Sequence, residues 1–221
     1  MRVRKKKHTD SRIEAQSRFL APAAEKIKED INAPFGRKAP VRLEIGCGKG
    51  GFIVGESQRL PDCDFYALEL ISDVIVTALE KYASEEREND NVRFIIANAK
   101  ELREYFPEKS LSAIYVNFCD PWPKAGHAKR RLVHRDFIKM YSELLTDDGV
   151  LRFKTDNAPL FEFALEELEA MGKTPSFVTR DLHSTEMQKD NVMTEYEQKF
   201  SSQGVKICML EVALNSSAVK E

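Results

Sequence analysis

The 221-residue sequence has few of the features that stabilise small secreted proteins or build metal sites. Its four cysteines, Cys47, Cys63, Cys119 and Cys208, are widely separated and form no Cys-x-x-Cys pair. This spacing argues against a zinc ribbon, a redox dithiol and a disulfide-bonded scaffold. His127, His134 and His183 have no partners at metal-ligand spacing, so we expect no bound metal.

Long apolar runs are also missing. The longest, such as residues 41–45 and 94–97, are far shorter than the ~20 residues that span a bilayer. No apolar segment follows the basic N-terminus, as one would in a secretory signal. A chain of this length can bury a sizeable core without disulfides or metals. We therefore expect a soluble, cytoplasmic protein with no membrane partner.

The net charge is close to zero, but the charges are unevenly distributed. The sequence has 34 basic and 36 acidic residues, so the molecule as a whole is not drawn to a polyanion. Five of the first seven residues are basic, and residues 124–135 contain five basic residues and no acidic one. A local phosphate-binding face would have this pattern, and so would a flexible tail with one solvated helix end. Charge alone leaves both explanations open.

Short β-branched segments alternate with amphipathic ones from residue 41 onward. The pattern predicts seven strands, at residues 41–45, 64–70, 92–97, 111–118, 149–155, 176–182 and 205–214. Helices are expected to begin near Gly51, Ser72, Ala99, His134 and Asn157. Five strand–helix units followed by two strands indicate an α/β fold, a mostly parallel sheet with helices on both faces. In such sheets ligands bind beyond the carboxyl ends of the strands.

The segment before the first strand is expected to stand apart from the sheet. Apolar residues recur at helical spacing between residues 11 and 31, despite Pro22, and "NAPFGRKAP" ends the pattern. We assign residues 1–35 to a basic N-terminal arm and helix, and residues 36–221 to a single domain.

A glycine-rich turn, "LEIGCGKGG", follows the first predicted strand. Gly46, Gly48 and Gly51 fit the dinucleotide fingerprint G-x-G-x-x-G. Glu44, Gly46, Gly48 and Gly50 fit Glu-x-Gly-x-Gly-x-Gly, the loop that cradles S-adenosylmethionine. Glu44 favours the second ligand, because a carboxylate repels a pyrophosphate but attracts an ammonium or sulfonium. Glu69 suits either ligand, since both carry a ribose with two hydroxyl donors.

Two further polar residues come directly after strands. Asn98 follows the third strand and is placed either to meet an adenine edge or to cap the next helix. Asp156 follows the fifth strand, and it is either an active-site carboxylate or the cap of the helix that begins at Asn157. The sequence does not separate these roles.

The segment "NFCDPWPKAGHAKRR" follows the fourth strand and contains the only tryptophan, Trp122. Its two prolines stiffen the backbone around Asp120 and Trp122. We expect the carboxylate to meet the cofactor or an incoming base, the ring to stack on the base, and the cations from Lys124 onward to contact phosphates.

Four motifs together carry a resemblance to a known family. "LEIGCGKG", "DPWPK…KRRL", "TDN" from Thr155 and "TEYE" from Thr194 resemble the bacterial tRNA (guanine-N7-)-methyltransferases, which methylate guanine 46 of the variable loop. The resemblance extends from about Arg12 to Leu214. It implies a Rossmann-like class I methyltransferase fold with an antiparallel last strand, S-adenosylmethionine as cofactor, tRNA as partner, and a monomer or homodimer.

The resemblance also implies roles for individual residues. Cofactor contacts are implied for Glu44, Gly46, Gly48, Glu69, Asn98 and Asp120, and Asp120 is the implied catalytic residue. Guanosine contacts are implied for Lys124, Asp156, Thr194, Glu195, Tyr196 and Glu197. RNA contacts are implied for His127, Lys129, Arg130 and Arg131. A basic residue that is frequent in the family is replaced here by Gly126, which makes the RNA contact of this loop weaker or shared with the arm.

Three other functions share parts of this pattern. An amino-group methyltransferase acting on DNA or protein also places an acid, prolines and an aromatic after strand four. A nicotinamide-dependent dehydrogenase uses the same fold and glycine loop. An RNA-binding module without activity would need neither Glu44 nor Glu69, so those two acids count against it.

Overall fold

The structure is a computed structural model that describes residues 8–215. The basic arm at residues 2–7 lies outside the described residues. The strands are β1 (Val41–Ile45), β2 (Asp64–Glu69), β3 (Val92–Ile96), β4 (Leu111–Asn117), β5 (Leu145–Thr155), β6 (Phe177–Thr179) and β7 (Cys208–Ala213). The α-helices are α1 (Thr9–Glu14), α2 (Ala24–Glu29), α3 (Gly51–Arg59), α4 (Ser72–Ser84), α5 (Leu102–Tyr105), α6 (Arg135–Leu144), α7 (Ala158–Ala170) and α8 (Glu195–Ser201).

The strands form a seven-stranded sheet in the order β3-β2-β1-β4-β5-β7-β6. β1 pairs in parallel with β2, β2 with β3, and β4 with β5. β7 is antiparallel to both of its neighbours, β5 and β6. Each parallel neighbour is reached through a helix, because parallel strands need a long crossover. The expected mostly parallel sheet with an antiparallel last strand is confirmed.

By its internal contacts the chain divides into two compact units. The first contains the residues up to Pro107 together with Val192–Glu195, and it holds β1, β2 and β3. The second contains residues 108–191 and those from Tyr196 onward. The boundary that we predict at residue 35 stays a prediction.

The first unit has an aromatic core that reaches back to the N-terminal segment. Phe19 and Tyr82 pack edge to face with centroids 5.1 Å apart, and Tyr82 also contacts Phe94 at 5.9 Å. The predicted continuous helix over residues 11–31 is wrong. Leu20 forms a β-bridge to Phe94, and the amide of Ala21 donates to the Phe94 carbonyl at 2.9 Å, so the chain leaves α1 and runs extended before α2.

The second unit packs its helices on β4 and β5. Phe153 of β5 and Phe161 of α7 are fully buried and stack 6.2 Å apart. β5 begins at Leu145, four residues earlier than predicted, because Leu145 pairs with Leu111 across a register shift in β4. Between residues 8 and 215 no helix is both long and apolar enough to cross a bilayer.

Candidate active site

The glycine turn after β1 is an open cradle. Gly46 and Gly48 have φ values of 78° and 57°, and a β-carbon added at either would meet no atom within 4 Å. The amides of Gly46 and Cys47 both donate to the carbonyl of Leu68, at 2.7 and 3.0 Å, which fixes the turn against β2. The positive φ values suit glycine, and the space beside them can hold a ligand.

Two acids make this cradle electronegative. Glu44 on β1 is buried, whereas Glu69 at the end of β2 is half-buried. The two oxygens of Glu69 accept hydrogen bonds from the amides of Gly48, at 3.1 Å, and Ile71, at 3.0 Å. Desolvation, followed by the charges of Glu44 and Glu69, raises the pKa of the Cys47 thiol well above its usual range. A site with this potential suits a cationic ligand rather than a pyrophosphate.

An apolar surface adjoins Glu69, and sequence reasoning missed it. Leu70, Ile71 and Ile96 are 59%, 37% and 39% exposed, and Ile96 is the register partner of Glu69 on β3. Exposed apolar side chains next to a carboxylate offer a flat purine a surface to pack on. The available signal was the apolar pair Leu70 and Ile71 directly after β2 and the apolar residue Ile96 at the end of β3.

Asn98 follows β3 and acts as a helix cap. Its side-chain oxygen accepts a hydrogen bond from the amide of Lys100 at 3.0 Å. This confirms the capping role, and the amide nitrogen of Asn98 is the group that the proposed adenine contact would use.

The cradle therefore fits S-adenosylmethionine. It offers two carboxylates for cationic and hydroxyl groups, a glycine turn with free space, and an apolar surface for a base. The members of this set lie at the ends of β1, β2 and β3 or directly after them, and these are three neighbouring parallel strands.

In the second unit, the segment after β4 is held in an unusual conformation. Phe118 and Trp122 have φ values of 52° and 42°, which are uncommon for bulky side chains. The Arg131 guanidinium donates to the carbonyl of Pro121 at 3.1 Å and to that of Trp122 at 3.1 and 3.3 Å. It also lies 4.2 Å from the ring centre of Phe163. Arg131 thus points into the protein and secures the turn that carries Asp120.

Two carboxylates are presented at the ends of β4 and β5. Asp120 is exposed and Asp156 is half-buried, and within residues 8–215 neither side chain has a hydrogen bond or ion pair. They come from adjacent strands, since Asn117 pairs with Lys154. Asp156 does not cap α7. That role belongs to Asn157, whose oxygen accepts from the Leu160 amide at 2.9 Å.

The basic loop that follows forms a short 3₁₀ helix, Ala125–Arg130. Lys124, Lys129 and Arg130 are exposed. Arg130 lies 4.9 Å over the Trp122 ring, and His127 meets the edge of that ring at 5.6 Å. The tryptophan ring thus packs against two residues of its own loop, and its stacking on a base stays a prediction.

The "TEYE" segment places its two acids in different surroundings. Thr194 and Glu195 belong to the first unit, where Glu195 is ion-paired with Lys81. Tyr196 is 56% exposed and stacks on Phe118 with centroids 6.4 Å apart.

Glu197 is fully buried and holds a polar network. Its carboxylate accepts from Lys154 at 2.7 Å and from Asn191 at 2.6 Å, and it lies 3.1 Å from His183. Asn191 also accepts from Lys154 at 2.9 Å. This placement differs from the expected contact with the base, because both oxygens of Glu197 already have protein partners. The partners lie up to 43 residues away in the chain, and no sequence motif links them.

No group of three or more potential metal ligands is assembled anywhere in residues 8–215.

The fold has solved relatives. An antibiotic-related methyltransferase aligns with a TM-score of 0.65 at 15% identity, covering 89% of this chain and 96% of its own. The 16S rRNA methyltransferase KamB aligns with a TM-score of 0.60 at 11% identity, covering 83% and 92%. These neighbours show that the chain has a Rossmann-like class I methyltransferase fold.

Sequence relatives are more specific. A family model described as "Putative methyltransferase" matches residues 38–210. A tRNA (guanine-N(7)-)-methyltransferase of Lysinibacillus sphaericus is 42% identical over 211 residues, covering 96% of this chain and 97% of its own. A protein of the same name from Bacillus cytotoxicus is 37% identical over 220 residues, covering 100% of both chains. The chain belongs to the tRNA (guanine-N(7)-)-methyltransferase family.

Proposed function

We propose that this protein transfers a methyl group from S-adenosylmethionine to N7 of guanine 46 in the variable loop of tRNA. The observation that carries the proposal is the 42% identity to a protein of that name across nearly the full length of both chains. We also propose that it acts in the cytoplasm, as a monomer or a homodimer.

S-adenosylmethionine supplies an electrophilic methyl group on a sulfonium when it is bound. We assign its binding to the cradle, with Gly46 and Gly48 giving room, Glu44 facing its positive charge and Glu69 accepting from the ribose hydroxyls. The positions of the two acids beside the glycine turn support this assignment, since after desolvation their charges also raise the pKa of the Cys47 thiol. Asn98 is assigned to the adenine edge, beside the apolar surface formed by Leu70, Ile71 and Ile96.

Methyl transfer to N7 depends on positioning the two reactants and does not need a strong base. Guanine N7 carries an in-plane lone pair and no proton, so its attack on the methyl carbon releases no proton from that atom. Holding the two reactants at bonding distance and angle then supplies much of the rate enhancement. We assign Asp120 to the catalytic position, where its carboxylate meets the cofactor and faces the reacting purine.

Positive charge moves from sulfur to the purine ring during transfer. Fixed carboxylates near the ring stabilise that charge as it develops. N1–H of guanine becomes more acidic at the same time, so an acceptor facing N1–H and the exocyclic amine binds more strongly in the transition state. Asp156 suits this role, because it follows a neighbouring strand and is not used by the helix cap. Tyr196 and Lys124 are assigned to stacking on the base and to its phosphate.

The exposed cations of the loop, with His127 beside them, are assigned to the RNA backbone. Lys129 and Arg130 face solvent, so both are available to phosphates.

The test is mass spectrometry of nucleosides from unmodified tRNA incubated with the protein and S-adenosylmethionine. We expect 7-methylguanosine, and none from a transcript in which guanine 46 is replaced by adenine. An Asp120→Asn variant should lose most of the turnover. Methylation of an amino group instead of N7, or no product at all, would overturn the proposal.

A further inference from the structure

Residues 192–195 lie along the first two turns of helix α3, the helix that begins at the glycine cradle. They belong to the first unit although they are distant in sequence from the rest of it. We call them the 192–195 segment. The next residue is Tyr196, which is assigned above to the guanine base, so Glu195, the end of the segment nearest the glycine cradle, is joined directly to a substrate residue.

Two glycines of α3 allow the segment to come this close. A β-carbon at Gly55 would lie 2.6 Å from Cγ1 of Val192, and one at Gly51 would lie 2.5 Å from Oε2 of Glu195. Both distances are below any normal contact. Residues four apart lie on one face of a helix, so Gly51 and Gly55 form a groove that receives Val192 and Glu195.

Glu195 is fixed in this groove by charge as well as by shape. Its carboxylate accepts a hydrogen bond from the Gly51 amide at 3.2 Å and is ion-paired with Lys81 of α4. Desolvation acts to raise the pKa of Glu195, but the hydrogen bond and charge of Lys81, together with backbone amides, lower it overall. Glu195 is therefore ionised at neutral pH. The Gly51 amide that it binds is one residue beyond the glycine turn.

We propose that Gly51, Gly55 and Lys81 are positioning residues that couple cofactor binding to RNA binding by holding the 192–195 segment against helix α3. The proposal rests on the proposed function. A cofactor that orders the glycine turn also orders the Gly51 amide, and through it Glu195 and the residues that follow. By thermodynamic linkage, tRNA must then tighten cofactor binding by the same factor.

The experiment measures the dissociation constant of S-adenosylhomocysteine by calorimetry, with and without saturating tRNA. For the unaltered protein we expect tRNA to tighten binding by about fivefold or more, the lower end of typical coupling between sites. Gly55→Ala should bring this factor to about one, because its methyl group displaces Val192. The midpoint of thermal unfolding should change by only a few degrees, because the helix propensity gained with alanine offsets the packing that Val192 loses. That combination separates lost coupling from misfolding.

A matched pair of variants tests the contact itself. Gly55→Ala with Val192→Ala removes the methyl group that clashes, so the double variant should recover the coupling factor, whereas Val192→Ala alone provides the reference. With both substrates saturating, kcat of Gly55→Ala should remain within about twofold of the unaltered protein. KM for tRNA measured at saturating cofactor should rise by the lost coupling factor, whereas KM at low cofactor should not change.

Lys81 provides an independent test that leaves the groove intact. Lys81→Met should reduce the coupling factor and Lys81→Arg should keep it, because arginine retains the charge. A coupling factor of one in the unaltered protein, full coupling in Gly55→Ala, or no recovery in the double variant would each overturn the inference. Failure of the proposed function is distinguishable, since it would appear as absence of 7-methylguanosine with the unaltered protein.

Discussion

Replacing Arg131 by methionine tests whether Arg131 contacts an RNA phosphate or stabilises the turn that carries Asp120. The family pattern places Arg131 with the RNA-binding cations, whereas the structure shows its guanidinium bonded to the carbonyls of Pro121 and Trp122. The two roles predict different changes. A phosphate contact affects RNA affinity and its salt dependence, but a support affects folding stability and turnover.

The size of the effect follows from the contacts. Hydrogen bonds from a charged donor are worth about 1.5–3 kcal/mol, and a cation over an exposed ring adds about 0.5–1 kcal/mol. Arg131 is half-buried, so water partly replaces the lost donors and we expect a net loss of about 2 kcal/mol in the free energy of unfolding. For a chain of this size that lowers the unfolding midpoint by about 4–8 °C. Freed from Arg131, Phe118 and Trp122 can relax from their positive φ values, and Asp120 then moves from its position.

The assays are calorimetric unfolding and methylation kinetics with a salt titration of tRNA binding. We expect Arg131→Met to lower kcat by about 10–100-fold, the scale of a misplacement of about 1 Å. Its salt slope should equal that of the unaltered protein. Arg131→Lys should behave like the methionine variant, because one ammonium cannot reproduce the guanidinium fork. Unchanged stability and turnover with a salt slope reduced by about 0.7–0.9, the loss of one phosphate contact, would refute the reasoning.

Three further predictions concern the loop, the buried network and a thiol. Lys129→Ala with Arg130→Ala should weaken tRNA binding and flatten its salt dependence without changing the affinity for S-adenosylhomocysteine, and calorimetry at two salt concentrations checks both. Glu197→Ala should lower the free energy of unfolding by about 3–5 kcal/mol in urea titrations because the buried charge of Lys154 loses its counter-ion, and a variant with methionine at both positions should lose less. Desolvation and the charge of Asp120 raise the pKa of Cys119 to about 12. At pH 8 about one part in ten thousand of that thiol is then ionised, so iodoacetamide should label Cys119 rapidly only after unfolding or at much higher pH.

Sequence patterns were sufficient to predict the strands of the sheet, because strand formation depends on local composition. β1 has the predicted bounds, and the other strands are found where their apolar runs lie, although β6 is limited to Phe177–Thr179. The error at residues 11–31 has a physical cause. Helical spacing was present there, but the bridge of Leu20 to β3 and the φ restriction at Pro22 favoured an extended chain.

The site was predictable to the extent that its residues follow strands. The glycine turn, Asp120 and Asp156 all do so and Glu69 ends β2, and these positions along the chain match the expectation. Side-chain direction was not predictable in the same way. Arg131 and Glu197 carry the charges of ligand-binding residues, yet both point into the protein, because contacts made by distant parts of the chain decide where a long side chain goes.

The backbone at Phe118 bears on how this protein would respond to artificial selection. Glycine or asparagine would adopt its φ of 52° at lower cost, but neither provides a ring beneath Tyr196. Variants selected for heat tolerance without an activity screen should therefore acquire substitutions at Phe118 early. These variants should gain thermal stability and lose catalytic activity together.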